Sequence, residues 1–339
     1  MTMMKRRLML AACGAVVMMC VACGVWLLAG GAPCDGMVKV RRGSSVEVVC
    51  DSLASATSAS YASRVKCLLR LTGSDVSRRQ GAFRVKQGMS AFSAMRMLRS
   101  GAPAGVRFTF NNVRTLDEWC ARWGQRFMVD ADTMRAALAD TALCARYGKT
   151  PTTIGCLLIP DSYEFYWDIT PEQLLDRMKG YYDRFWTAER QQAAQALGLT
   201  PDEVVIIASI VEEETAKRDE RGKVARLYLN RIHTGMPLQA DPTVKFALGD
   251  FGIRRLSVAM LRVESPYNTY RVAGLPPGPI RLPEKATIDA VLHAPQHNYI
   301  YMCAREDFSG YHNFTASYAE HNANANRYRA ALNDRGIKR

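Results

Sequence analysis

Three consecutive carboxylates, Glu212, Glu213 and Glu214, close an almost wholly apolar run over residues 204–211. Glu214 follows Ile207 by seven residues, Ile210 by four and Val211 by three, so on a helix it continues an inward-facing stripe. A carboxyl facing a partly apolar cleft has its charged form disfavoured and its pKa raised. That is what a general acid near neutral pH requires. Glu213 follows Ile206 and Ile210 at similar spacings, and geometry alone does not exclude it. The bland alternative is a solvated helix end, or pairing with Lys217, Arg218 and Arg221 at one-turn spacings.

Downstream come polar and aromatic loops. Residues 238–243 read Leu-Gln-Ala-Asp-Pro-Thr, 266–270 read Pro-Tyr-Asn-Thr-Tyr, and 274–279 read Gly-Leu-Pro-Pro-Gly-Pro, a stiff loop with restricted backbone angles. Gln239, Asp241, Tyr267 and Asn268 offer hydroxyl partners and a flat ring face, which suit a sugar polymer. Each loop alone reads equally well as a connector.

The elements that must position these groups are legible in part. Thr200 with Glu203 forms a capping box and Pro201 suits the first helical position, so a helix starts there. A second helix is expected over 220–234, with Val224, Leu227, Tyr228 and Ile232 on one face and Gly235 as its stop. Upstream, helices are expected over 61–71, 91–100, 116–127, 133–147 and 171–194. Strands are expected over 81–85 and 107–110, and a loop is marked by Gly155 and Pro160.

A charge-free run of 23 residues, 8–30, follows Lys5, Arg6 and Arg7. It is long enough to span a bilayer, and the basic residues place 1–7 in the cytoplasm and the rest outside. Cys13 after Leu10-Ala11-Ala12 has the residue types of a lipidation site, but few apolar residues precede it. The net charge of +13 favours anionic partners. Basic residues are spread without a dense run and no nucleic-acid-binding signature is present, so no nucleic-acid partner is expected. Outside the apolar run lie seven cysteines with no C-x-x-C pair among them. Neither a structural zinc site nor a disulfide pattern follows from that spacing.

Taken in order, the motifs resemble the MltG (YceG-like) endolytic murein transglycosylases. The resemblance rests on Ala-Ser-Ile-Val-Glu-Glu-Glu-Thr at 208–215, Lys-Val-Ala at 223–225 and Asn230-Arg231. It continues through residues 235–244, 265–270 and 274–280, then His312-Asn313-Phe314 and His321-Asn322. Upstream, Pro-Asp-Ser-Tyr at 160–163 is similar to the family's Pro-Asp-Thr-Tyr, and residues 81–101 resemble its LysM-like module. Gly155 and Cys156 stand where the family often has Glu-Gly, so no second acidic group carries over from that loop.

The resemblance implies that Glu214, the second glutamate of the Glu-x-Glu-Thr motif, is catalytic. It would protonate the glycosidic oxygen after N-acetylmuramic acid and then take the proton of that sugar's 6-hydroxyl, closing a 1,6-anhydro ring. Gln239, Asp241, Tyr267 and Asn268 would hold the glycan or orient Glu214. No cofactor or metal is implied.

The expected chain is α+β: a cytoplasmic tail (1–7), a transmembrane helix (8–30), a linker (31–42), a LysM-like α/β module (43–102) and a larger mixed α+β YceG-like catalytic domain (103–339). Expected partners are peptidoglycan strands, the cytoplasmic membrane and, at family level, peptidoglycan synthases. Two rival expectations are a hydrolase using Asp241 as base for water and a tethered peptidoglycan-binding scaffold without catalysis.

Overall fold

The computed structural model describes residues 3–28, 30–253 and 255–335; within the first helix the side chains of residues 3–8, 10, 11, 20, 23 and 28 fall outside that description. The expected tail and membrane span therefore lie partly outside the described residues. What is described there is a helix, α1 (Met3–Leu28). Among the described residues no single helix is long and apolar enough to cross a membrane; Ala12–Leu27 is a shorter apolar stretch.

The chain divides into two compact units. The first contains β1 (Gly36–Val40), α2 (Val46–Ala56), α3 (Ala59–Leu71), β2 (Gly81–Val85) and α4 (Ala91–Ser100). β1 pairs antiparallel with β2, Val38 opposite Phe83. Val38, Val40, Leu53, Tyr61, Val65, Leu69, Phe83, Val85 and Leu98 form its core. Ser45, Ser58 and Ser90 each cap the helix that follows by accepting a backbone N–H three residues on. Residues 36–40, expected within a linker, are instead β1. Val38 and Val40 alternate with Lys39 and so bury one face of a strand.

The boundary between the units falls within β3 (Gly105–Phe110) and again within β4 (Asp161–Tyr166), which pair with each other. It therefore lies beyond the expected division at 102. β4 replaces the loop expected around Pro160; Tyr163 and Phe165 are buried while their neighbours are exposed.

The second unit is mostly helical. It holds α5 (Leu116–Gly124), α6 (Ala131–Ala139), α7 (Thr141–Ala145), α8 (Pro171–Phe185), α9 (Ala188–Ala196), α10 (Pro201–Glu214), α11 (Arg221–His233), α12 (Asp241–Leu248), α13 (Lys285–Leu292) and α14 (Tyr318–Asp334). A hairpin of β5 (Tyr301–Ala304) and β6 (His312–Thr315) precedes α14. Two helices expected as continuous are each broken by a side-chain cap. Asp140 closes α6 and accepts from Leu143 N–H to start α7, and Thr187 starts α9 after the break at Trp186.

The centre of this unit is α10. Thr200 and Glu203 make the full capping box with Pro201 in the first turn, and every residue from Val204 to Glu212 is buried. It packs on α11, α12 and α13. Each large apolar side chain buried this way contributes roughly 1.5–3 kcal/mol, enough to fix the helix as the unit's spine. α11 stops where Gly235 takes φ +68°. Ser209, fully buried on α10, donates to Ile206 O and accepts from the Ile280 N–H at 3.0 Å, which pins the end of the 274–280 loop. In that loop a Cβ at Gly278 would run into the Thr152 carbonyl oxygen, so only glycine fits.

Replacing Ser209 by Ala should therefore orphan the buried Ile280 N–H and cost about 1–3 kcal/mol. Denaturant unfolding of wild type and S209A checks this; an unchanged midpoint would show that the loop is not held through that bond.

Candidate active site

The three glutamates at the end of α10 meet three different surroundings. Glu212 is buried, with its carboxylate accepting from Glu284 N–H and Thr287 Oγ1 and paired with Arg281 Nε at 3.1 Å and Arg221 at 3.7 Å. Glu213 is paired with Arg281 at 2.7 Å and Arg114 at 3.0 Å. Glu214 has no cation within ion-pair distance among the described residues; its one hydrogen bond is from the Tyr228 hydroxyl at 2.6 Å. The pairing considered for the whole acidic run thus holds for Glu212, through Arg221. Arg218 reaches Glu284 instead. Glu213, left open by spacing, is committed to two arginines.

Glu214 lines a cavity of about 320 Å³ together with Tyr228 and Arg231 of α11, Leu238 and Gln239 before α12, Asp241 at its start, Tyr270, and Met302, Cys303, Ala304, His312 and His321 from the C-terminal part. Burial pushes the Glu214 carboxyl up to about 7. The Tyr228 hydroxyl bond opposes this, the negative charge of Asp241 adds to it, and His312 and Lys245 oppose it. The Tyr228 phenol is itself buried and held well above its ordinary value by that burial and by the Glu214 charge, so it remains a proton donor to the carboxylate.

Four groups shape the cavity around this acid. Arg231 is buried with no carboxylate partner among the described residues, and its donors go to Ile300 O, Leu238 O and Pro237 O, with Gln239 Oε1 at 3.3 Å. Gln239 sits at φ +51°, a conformation uncommon outside glycine, and its N–H donates to Thr269 O. The backbone turn at Gln239 aims the chain into α12, whose first residue, Asp241, accepts from the Tyr270 hydroxyl at 2.5 Å. Among the described residues no group of three His, Cys, Asp or Glu side chains could hold a metal ion.

Of the residues singled out from sequence, the structure brings Glu214, Gln239 and Asp241 into one cavity. Tyr267 lies instead on a second cavity of about 440 Å³, with Phe246, Phe251 and Arg114. Asn268 is fully buried, its amide donating to Leu261 O and Val263 O, where it braces the loop that carries Tyr270. Tyr228, Arg231 and Tyr270 were not singled out as site residues. Tyr228 had a signal: a phenol on the apolar face of a helix needs a partner for its hydroxyl once buried.

The model of the YceG-like family matches residues 38–327. An endolytic murein transglycosylase of Bacillus subtilis strain 168 is 37% identical over 132 residues, 39% of this chain and 36% of that protein. Another, of Streptococcus pneumoniae serotype 2 strain D39, is 26% identical over 255 residues, 66% of this chain and 46% of that protein. The chain thus spans less than half the length of these relatives. A crystal structure of a yceG-like protein from Listeria monocytogenes superposes with a TM-score of 0.55 at 22% identity, covering 85% of this chain and 98% of that one, a likeness of fold.

A carboxyl whose pKa rises from 4.5 in the unfolded chain to about 7 in the fold gives stability that is complete below pH 4.5 and lost as pH climbs through 7. Glu214→Gln removes that loss. The variant should be more stable than wild type at pH 8 by up to about 3 kcal/mol, and by far less at pH 5. Thermal melts at the two pH values check this, and an equal difference at both would refute the raised pKa.

Proposed function

The chain belongs to the YceG-like family, and from that premise we propose that it is an endolytic peptidoglycan transglycosylase. It cuts the bond between N-acetylmuramic acid and N-acetylglucosamine within glycan strands and leaves 1,6-anhydro ends. The observation that carries this reading is Glu214: a carboxyl with no ion-pair partner among the described residues, raised to about 7, opening onto a polar cavity. Such a group is protonated in a useful fraction of molecules at neutral pH and is ionised without a large penalty, so one residue serves as acid and then accepts a proton back.

Glu214 gives its proton to the glycosidic oxygen as the bond to C1 breaks. The 6-hydroxyl of the same sugar attacks C1, and its proton returns to the ionised carboxylate. The nucleophile is already part of the substrate, so the ring closure gains from proximity. The Tyr228 hydroxyl steadies the ionised carboxylate during the step. Arg231, Gln239 and Asp241 offer donors and acceptors to sugar hydroxyls along the cavity wall.

The same reading extends to the setting. Residues 8–30 act as a single-pass anchor in the cytoplasmic membrane, with residues 1–7 in the cytoplasm and the residues after the anchor outside; the charge-free run behind Lys5, Arg6 and Arg7 supports this. The strand–helix–helix–strand arrangement of the first unit supports a LysM-like module that holds glycan. Placement beside newly made strands would set their length and make peptidoglycan synthases the natural partners.

Glu214→Gln keeps the shape and the bond from Tyr228 but has no proton to give. Its rate on purified glycan strands should fall at least 10²–10⁴-fold. Mass spectrometry separates anhydro ends from reducing ends by one water. Anhydro fragments released by the variant at the wild-type rate would sink the assignment, and reducing ends from wild type would make the enzyme a hydrolase. Wall binding without any cleavage would leave a scaffold.

A further inference from the structure

The mechanism above leaves one titratable pair unused, buried Glu220 with part-buried His312. His312, on β6, lines the Glu214 cavity, and its Nδ1 lies 2.7 Å from Glu220 Oε2. Glu220 Oε1 also accepts the His312 backbone N–H at 2.8 Å, so one carboxylate grips the residue at two points. Glu220 is buried, and its carboxyl is held below its ordinary value: burial pushes it up, but its bonds from the His312 ring and backbone outweigh that. It is therefore ionised at neutral pH and can only accept, which makes Nδ1 the proton-bearing nitrogen. Nε2 is left as an acceptor, with no hydrogen-bond partner among the described residues. The grip extends back to the acid, since Thr215, the residue after Glu214, donates its hydroxyl to the same Glu220 oxygen at 3.1 Å.

We propose that His312, oriented by Glu220, accepts the proton of the 6-hydroxyl at Nε2 and relays it to Glu214, so that ring closure uses a carboxylate–imidazole pair besides the single glutamate. The inference rests on the reading of Glu214 as the acid of an anhydro-forming cleavage. As the bond between C1 and the glycosidic oxygen breaks, Glu214 supplies the leaving oxygen with a proton. The 6-oxygen bonds to C1 and its proton passes to Nε2. The imidazolium, stabilised by Glu220, then protonates the Glu214 carboxylate, and both groups are restored. A carboxylate behind Nδ1 locks the ring in one tautomer, as an orienting acid does for any catalytic histidine. Other titratable or charged groups near the pair include Arg231 and Asp241, which line the same cavity, His321 on α14, Asp219 and Lys217 beside Tyr311, and Lys223 over the Phe314 ring that packs on His312.

Steady-state cleavage by the full chain tests this. In His312→Asn the side-chain amide still donates to Glu220 but cannot take a proton. Its kcat should fall about 10²-fold with KM nearly unchanged, a split that a loss of glycan binding would not give. Glu220→Gln keeps an oxygen for Nδ1 but no longer balances the imidazolium, so kcat should fall about 10-fold, again with KM nearly unchanged. An H312N enzyme with the wild-type kcat overturns the proposal, while its anhydro products would leave the role of Glu214 standing. Should H312N fail to fold, E220Q decides: a kcat that does not fall overturns the relay. A wild type that makes no anhydro ends removes both.

Discussion

Three arginines and the backbone around them decide which of three adjacent carboxyls is free to do chemistry. Arg281 reaches Glu212 and Glu213 at once, Arg114 completes Glu213, and Arg221 leans on Glu212. All three glutamates stand in the last turn of α10, where the helix dipole places its negative end and carboxylates are least welcome. A buried ion pair repays its desolvation only with good geometry and further hydrogen bonds, and Glu212 has both. Its worth here is less in net stability than in direction. With the arginines occupied by Glu212 and Glu213, Glu214 keeps a neutral phenol as its sole hydrogen-bond partner among the described residues, and burial can act on its pKa unopposed by a salt bridge.

That arrangement also explains why the cavity is built from segments far apart in the chain. A carboxyl raised by burial must still be reached by a substrate, so the enclosing wall has to come from outside its own helix. α11 supplies Tyr228 and Arg231 about two and three turns from its start, the turn at Gln239 supplies the rim, and the β5–β6 hairpin adds Met302, Cys303, Ala304 and His312. Arg231 links these pieces by donating to Ile300 O just before β5 and to Leu238 O just before α12. A buried guanidinium satisfied by carbonyls is costly to place, and its position at the junction of three segments makes it a fastener for the cavity as well as a lining group.

Much of this was readable where the signal is local. The capping box at Thr200 and Glu203, the stop at Gly235 and the inward stripe through Ile207, Ile210, Val211 and Glu214 depend on neighbours within one or two turns, and they stand as the sequence implies. The breaks at Asp140 and at Trp186–Thr187 were also local, but a single Asp or Thr in a helical pattern reads the same whether or not it caps. Strands β1 and β4 were harder still. Each is short, and a five- or six-residue strand is marked out by its partner more than by its own composition. Tyr267 and Asn268 carried the right chemistry for a sugar site, yet only tertiary packing decides that Asn268 braces a loop while Tyr270, two residues on, reaches Asp241.

The distinction between Glu213 and Glu214 shows where sequence reasoning ends. Both continue an apolar stripe, and both are followed by basic residues within reach. What separates them is Arg114, 99 residues earlier, and Arg281, 68 residues later, converging on the same carboxylate. No periodicity on α10 contains that information, because it is a property of which cations the fold delivers to which side of a helix end. The family motif carries it implicitly by fixing a glutamate three places before the threonine and another directly before it, with the place between them left open. The structure supplies the physical reason: the first is buried among arginines and held by backbone, and the second is left to a tyrosine.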